Sequence, residues 1–111
     1  MTSYKEIDAS ELSDMLSAQT IRLIDVRNAD EVARGIIPSA EHVPLSMLPV
    51  QFESLNGDEP LVFYCHSGIR SAQASAFIAS KGRDNVYNLR GGVLAWGKAG
   101  YAFGPLGAAS L

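Results

Sequence analysis

Five consecutive residues, Leu61-Val62-Phe63-Tyr64-Cys65, show no polar alternation. A strand with one wet face alternates apolar and polar residues. A run that is apolar throughout must be covered on both sides, as in the central strand of a parallel sheet layered between helices. The turn Asn56-Gly57-Asp58-Glu59-Pro60 precedes the run. The short loop His66-Ser67-Gly68 follows it, and an alanine-rich helix is predicted over Ser71 to Lys81. Ala72, Ala76, Phe77 and Ile78 supply that helix's packing positions, and Gly82 is its stop.

The same order repeats along the chain. Tyr4 to Ile7 reads as a first strand. Asp8 and Glu11 have capping-box spacing ahead of a helix whose Leu12, Met15 and Leu16 share one face. Thr20 to Asp25 reads as a second strand, with Arg22 near an edge or end. Asn28 and Glu31 repeat the cap spacing for a short helix over Ala29 to Arg34, closed by Gly35. Ile36 to Pro44 reads as a connection with a short strand near His42 and Val43, limited by Pro38 and Pro44. A helix is predicted from Leu45 to Ser54 or Leu55, with Pro49 either near its start or breaking it. Val86 to Leu89 is a last strand, and Gly91-Gly92 leads to a helix over Val93 to Ala99. Alternating strands and helices predict an α/β fold, with a mostly parallel sheet of about five strands and helices on both faces. Ligands of such sheets bind beyond the carboxyl ends of the strands, where Cys65 lies.

The chain has 111 residues, 47% hydrophobic and 19% charged, which suits a single domain over 1–111. Its core is expected over about 4–101, with a loosely held or contact-making tail at 102–111. A net charge of -3 without a basic cluster argues against nucleic acid as a partner. The apolar runs are too short for a membrane span, and the N-terminal residues lack the apolar core of a signal peptide. With one cysteine there is no internal disulfide and no cysteine-based zinc site, and the expected location is the reducing cytoplasm.

Taken alone, a single cysteine reads as a small buried hydrophobe. Its sequel argues otherwise: Cys65 is followed by His66-Ser67-Gly68-Ile69-Arg70-Ser71. The chain must turn here and start a helix. Gly68 permits close backbone approach or a positive φ, and successive amides in such a turn converge into an anion-binding nest. A helix N-terminus and the Arg70 guanidinium add positive potential, which favours a thiolate. Arg70 is also placed to bind substrate oxygens. His66 is either a donor or an incidental surface ring. Asp25 and Arg27 read as a structural pair at a strand end. Glu31 reads as a helix cap or a partner of Arg27. Arg90 is a candidate for the site rim, Trp96 for the core and His42 for loop structure.

Three segments resemble the rhodanese family of sulfurtransferases: Leu23-Ile24-Asp25-Val26-Arg27 with Glu31, Val62 to Cys65 continuing through Arg70-Ser71, and Leu89-Arg90-Gly91-Gly92-Val93-Leu94-Ala95-Trp96 with Gly100 and Tyr101. The resemblance spans about Tyr4 to Tyr101. It implies a single rhodanese-like domain in which Cys65 takes sulfane sulfur from thiosulfate or a persulfide donor and passes it to a thiol or cyanide. It implies no metal or organic cofactor, and a sulfur-relay protein as a further partner. Residues 66–71 would form the substrate loop, supported by Asp25, Arg27 and Glu31. The chain departs from the family at Gly35-Ile36-Ile37-Pro38-Ser39-Ala40, where Ile36 replaces a frequent histidine. It also carries Ser67 and Ile69 where strongly thiosulfate-using relatives place more positive charge.

Two other functions compete. A phosphatase or arsenate reductase of the related fold needs a wider cradle, with one residue more between cysteine and arginine than the four here. A non-turnover sulfur carrier or docking module would share the persulfide step or dispense with it.

Overall fold

The computed structural model describes residues 3–106, and the expectations for Met1, Thr2 and 107–111 lie outside them. Its centre is the apolar run. Strand β4 (Leu61–Tyr64) is buried at every position and lies in the middle of a five-stranded sheet. The other strands are β1 (Lys5–Ile7), β2 (Arg22–Asp25), β3 (Glu41–His42) and β5 (Val86–Leu89), in the spatial order β1-β5-β4-β2-β3. Every pairing in the sheet is parallel. Register sets Asp25 beside Tyr64, so β2 and β4 end together at the carboxyl edge.

Successive residues of β4 serve opposite layers, as the strand period requires. Val62 and Tyr64 join Leu12, Leu23, Val32 and Trp96 in one core. Leu61, Phe63 and Cys65 join Ile24, Leu48, Ala74 and Ile78 in the other. The first layer holds helices α1 (Ala9–Ala18), α2 (Ala29–Val32) and α5 (Gly92–Lys98). The second holds α3 (Leu48–Gln51) and α4 (Ile69–Ser80). Helices therefore cover both faces, the α/β architecture expected from the residues.

The caps explain where elements begin. Asp8 and Glu11 form the expected capping box on α1: the Glu11 N–H donates to the Asp8 carboxylate at 2.8 Å, and the Asp8 N–H donates to that of Glu11 at 3.1 Å. Arg22 opens β2 and pairs with Glu41 on neighbouring β3. The single helix expected over Leu45 to Leu55 is instead three pieces: α3 flanked by 3₁₀ turns at Leu45–Met47 and Phe52–Leu55. Pro49 falls in the first turn of α3, because its ring and missing N–H cannot continue a helix begun at Leu45. α4 begins at Ile69, two residues before the expected Ser71, because Gly68 already turns the chain at φ 103°. Beyond α5 the chain is pinned by a pair of hydrogen bonds between Ile36 and Gly104, at 2.8 and 2.9 Å.

Candidate active site

β4 delivers Cys65 to the carboxyl edge of the sheet, and the loop to α4 folds back over its sulfur. The residue is only 1% exposed, yet its surroundings are not hydrocarbon alone. The Gly68 N–H donates to Sγ at 3.2 Å, the Ser71 N–H at 3.4 Å and the Ser71 hydroxyl at 3.3 Å. The left-handed Gly68 aims its amide inward, and the first turn of α4 supplies the Ser71 pair. Burial pushes the thiol up. The Ser71 hydroxyl and the N–H groups of Ser71, Gly68 and Ser67 outweigh it, and the net displacement favours the thiolate.

The loop is itself held from behind. The N–H groups of Val93 and Leu94 open α5 by donating to the carbonyls of Cys65 (2.9 Å) and His66 (3.2 Å). This satisfies helix-terminal donors with the loop's own backbone. Gly92 makes the approach feasible, since a Cβ there would run into the Cys65 and His66 carbonyls. On the other flank, buried Asn88 donates to the Gly68 carbonyl at 3.3 Å and to the Glu6 carboxylate at 2.9 Å.

Arg70 stands at the loop's end, but both its terminal nitrogens donate to Glu31, at 2.7 and 2.9 Å. The positive potential expected from it at the sulfur is thus shared with a carboxylate. Glu31 also accepts from the Asn28 N–H at 3.1 Å, so it caps α2 and pairs with Arg70 rather than with Arg27. Arg27 is buried against Asp25, with contacts of 2.7 and 3.0 Å, and donates to the Gly35 carbonyl at 2.7 Å. That pair ties the end of β2 to the turn after α2. His42 sets its ring nitrogen 2.8 Å from the Arg27 carbonyl. His66, Ser67 and Ile69 are exposed at the rim. Arg90 lines a separate cleft beside Glu6 and Ile69. Trp96 is buried and donates to the Ala102 carbonyl at 2.9 Å.

A cleft of about 340 Å³ opens beside the loop, lined by Arg27, Glu31, Arg34, His66, Arg70 and Val93. Arg34 and Val93 were not singled out in the sequence. Glu31 and Arg34 are three residues apart, which places them on neighbouring parts of one helical turn, and that spacing is a usable signal. Tyr64 was also overlooked. Its hydroxyl accepts from the buried Ile37 N–H at 3.0 Å, and burial followed by the nearby Asp25 pushes its ionisation far up.

In sequence and in fold the chain is similar to known proteins of one family. A family model described as "Rhodanese-like domain" matches residues 8–99. The chain is 40% identical to a protein of Allochromatium vinosum named sulfurtransferase, over 86% of this chain and 90% of the relative. It is 31% identical to a thiosulfate sulfurtransferase of Shewanella oneidensis, over 89% of this chain and 98% of the relative. Among solved structures, a rhodanese-related protein from Thermoplasma volcanium superposes with a TM-score of 0.83 at 30% identity. That match covers 91% of this chain and 98% of the other.

Proposed function

The chain belongs to the rhodanese-like domain family, and on that premise we propose that it is a sulfurtransferase that carries sulfane sulfur on Cys65. The observation that carries this reading is the convergence of three donors, from Gly68 and Ser71, on one sulfur. They offset the cost of burial and favour the anionic form of Sγ. In the first step the thiolate attacks the outer sulfur of a donor. The Sγ–S bond forms as the bond from that sulfur to its leaving group breaks. With thiosulfate the leaving group is sulfite, which departs with the electron pair. The Cys65 persulfide keeps its negative charge on the terminal sulfur, within reach of the loop's N–H groups.

In the second step a thiolate or cyanide attacks the terminal sulfur. The Cys65 S–S bond breaks and its electron pair returns to Sγ. The donors that favour the thiolate also make it a better leaving group, so one set of hydrogen bonds assists both steps. The names of the Allochromatium and Shewanella relatives support this class of reaction, and the second supports thiosulfate as a donor.

Incubation with thiosulfate followed by intact-mass measurement tests the reading. The expected result is a gain of one sulfur atom, removed by cyanide and absent in Cys65→Ala. An unchanged mass for the wild type, or an equal gain in Cys65→Ala, overturns it. Steady-state thiocyanate production then separates a turning-over enzyme from a carrier.

A further inference from the structure

Three clefts at the carboxyl edge of the sheet share one side chain, Arg34. The largest is the one beside the thiol loop. Two smaller ones, of about 190 and 220 Å³, continue past Val93 and Gly35 to Phe103 and Gly104. The charges lining this trough are unequally committed. Arg27 is neutralised by Asp25 and Arg70 by Glu31, each through short hydrogen bonds. Arg34 is exposed, and among the described residues its guanidinium has no acceptor. Pair by pair, one uncompensated cation remains at the mouth of the cleft.

Apolar surface faces that cation. Val93 is half-buried, and Phe103 is 44% exposed. Phe103 is not a loose side chain. The Ile36–Gly104 hydrogen bonds fix the backbone next to it, and its ring edge lies over Gly97, where a Cβ would stand at 3.4 Å. A planar guanidinium fork and a fixed aromatic surface therefore share a trough that ends at the Cys65 loop. Cyanide and thiosulfate have no carbon body to place against Phe103. A ligand that uses the whole trough needs an anion for the fork, a few carbons for Val93 and Phe103, and a sulfur at the loop.

We propose that Arg34, Val93 and Phe103 form a subsite that selects, as the acceptor of the Cys65 sulfur, an organic thiol bearing a carboxylate. This rests on the sulfur-transfer reading above. The acceptor thiolate attacks the terminal persulfide sulfur and leaves as its own persulfide, the Cys65 thiolate is restored, and the carboxylate stays on Arg34 throughout.

The test compares matched acceptors. Persulfide-loaded protein is discharged with 3-mercaptopropionate or with neutral 3-mercapto-1-propanol, and the second-order rates are compared. The wild type is expected to favour the carboxylate by about tenfold, the scale of one partly solvated charge-assisted contact. Arg34→Ala should erase that ratio, Arg34→Lys should keep part of it, and Phe103→Ala should lower both rates. Equal rates in the wild type, or a preference that survives Arg34→Ala, overturn the subsite. A second measurement does not depend on sulfur transfer. Titration with 3-(methylthio)propionate, followed by NMR, should shift the Val93 and Phe103 signals in the wild type but not in Arg34→Ala. Failure to load Cys65 alongside that binding refutes the transfer reading and leaves the subsite standing. Absence of binding refutes the subsite whatever Cys65 does.

Discussion

Glu31 shows how much one carboxylate can hold. Hydrogen bonds from Arg70 pull its carboxyl down to about 2 from an ordinary 4.5, against the opposing effect of burial and with help from the Asn28 N–H. A depressed carboxyl stabilises the fold fully above its ordinary value, and that contribution is lost as pH falls from about 4.5 towards 2. Because the partners are 33% and 22% exposed, solvent screening limits the pair to roughly 1 kcal/mol or less. In Glu31→Gln the acid limb of the stability curve should flatten over that window. Arg70 would also face the sulfur uncompensated, so the midpoint of Cys65 alkylation against pH should move to lower pH. An unmoved midpoint would mean that the Arg70 field does not reach Sγ. The sequence made the pieces of this arrangement visible without their pairing. Cys65 and its loop stand out because strand, glycine and helix are contiguous. The partner of Glu31 lies 39 residues away, and only the fold brings Arg70 to it. Ser71 was legible as a member of the loop, but its hydroxyl contact with Sγ depends on α4 starting at Ile69.

At the scale of elements, the beginning of α5 and the thiol loop are one structure. Gly92 sits at φ 55°, where an added Cβ would collide with the Cys65 and His66 carbonyls. Backbone cannot give way as a flexible side chain can. Gly92→Ala should therefore cost about 3 kcal/mol or more, by strain and by displaced loop carbonyls. Chemical denaturation should show the loss, and thiol reactivity should fall in whatever fraction remains folded. Survival at wild-type stability would mean that α5 can withdraw from the loop without penalty. Glycine pairs are easily recognised as turns in a sequence, but the close approach that demands one here comes from the thiol loop some 27 residues earlier. The divided segment around α3 has a different origin. Its apolar residues pack against the core as a helix would, and Pro49 accounts for the break between the first 3₁₀ turn and α3. Periodicity describes the buried face well and the hydrogen-bond ladder poorly.

Across the whole molecule, the alternation of strands and helices was enough to give the sheet its class, because an unbroken apolar strand has few places to go. What no local pattern contains is the set of polar links between layers. Tyr64 is one: it accepts from Ile37 in the connection between α2 and β3, and so ties that crossover to the central strand. Tyr64→Phe would leave a buried N–H without a partner, at a cost of roughly 1–3 kcal/mol. The melting temperature should drop by several degrees in a domain of this size. No change would show that another acceptor or a water replaces the phenol. Asn88 is a second link. It joins Glu6, on the strand at the rim of the sheet, to the carbonyl of Gly68. The outermost strand is consequently coupled to the sulfur it never touches, and heat or a foreign strand that peels the rim away would slacken the cup around Cys65 in the same movement.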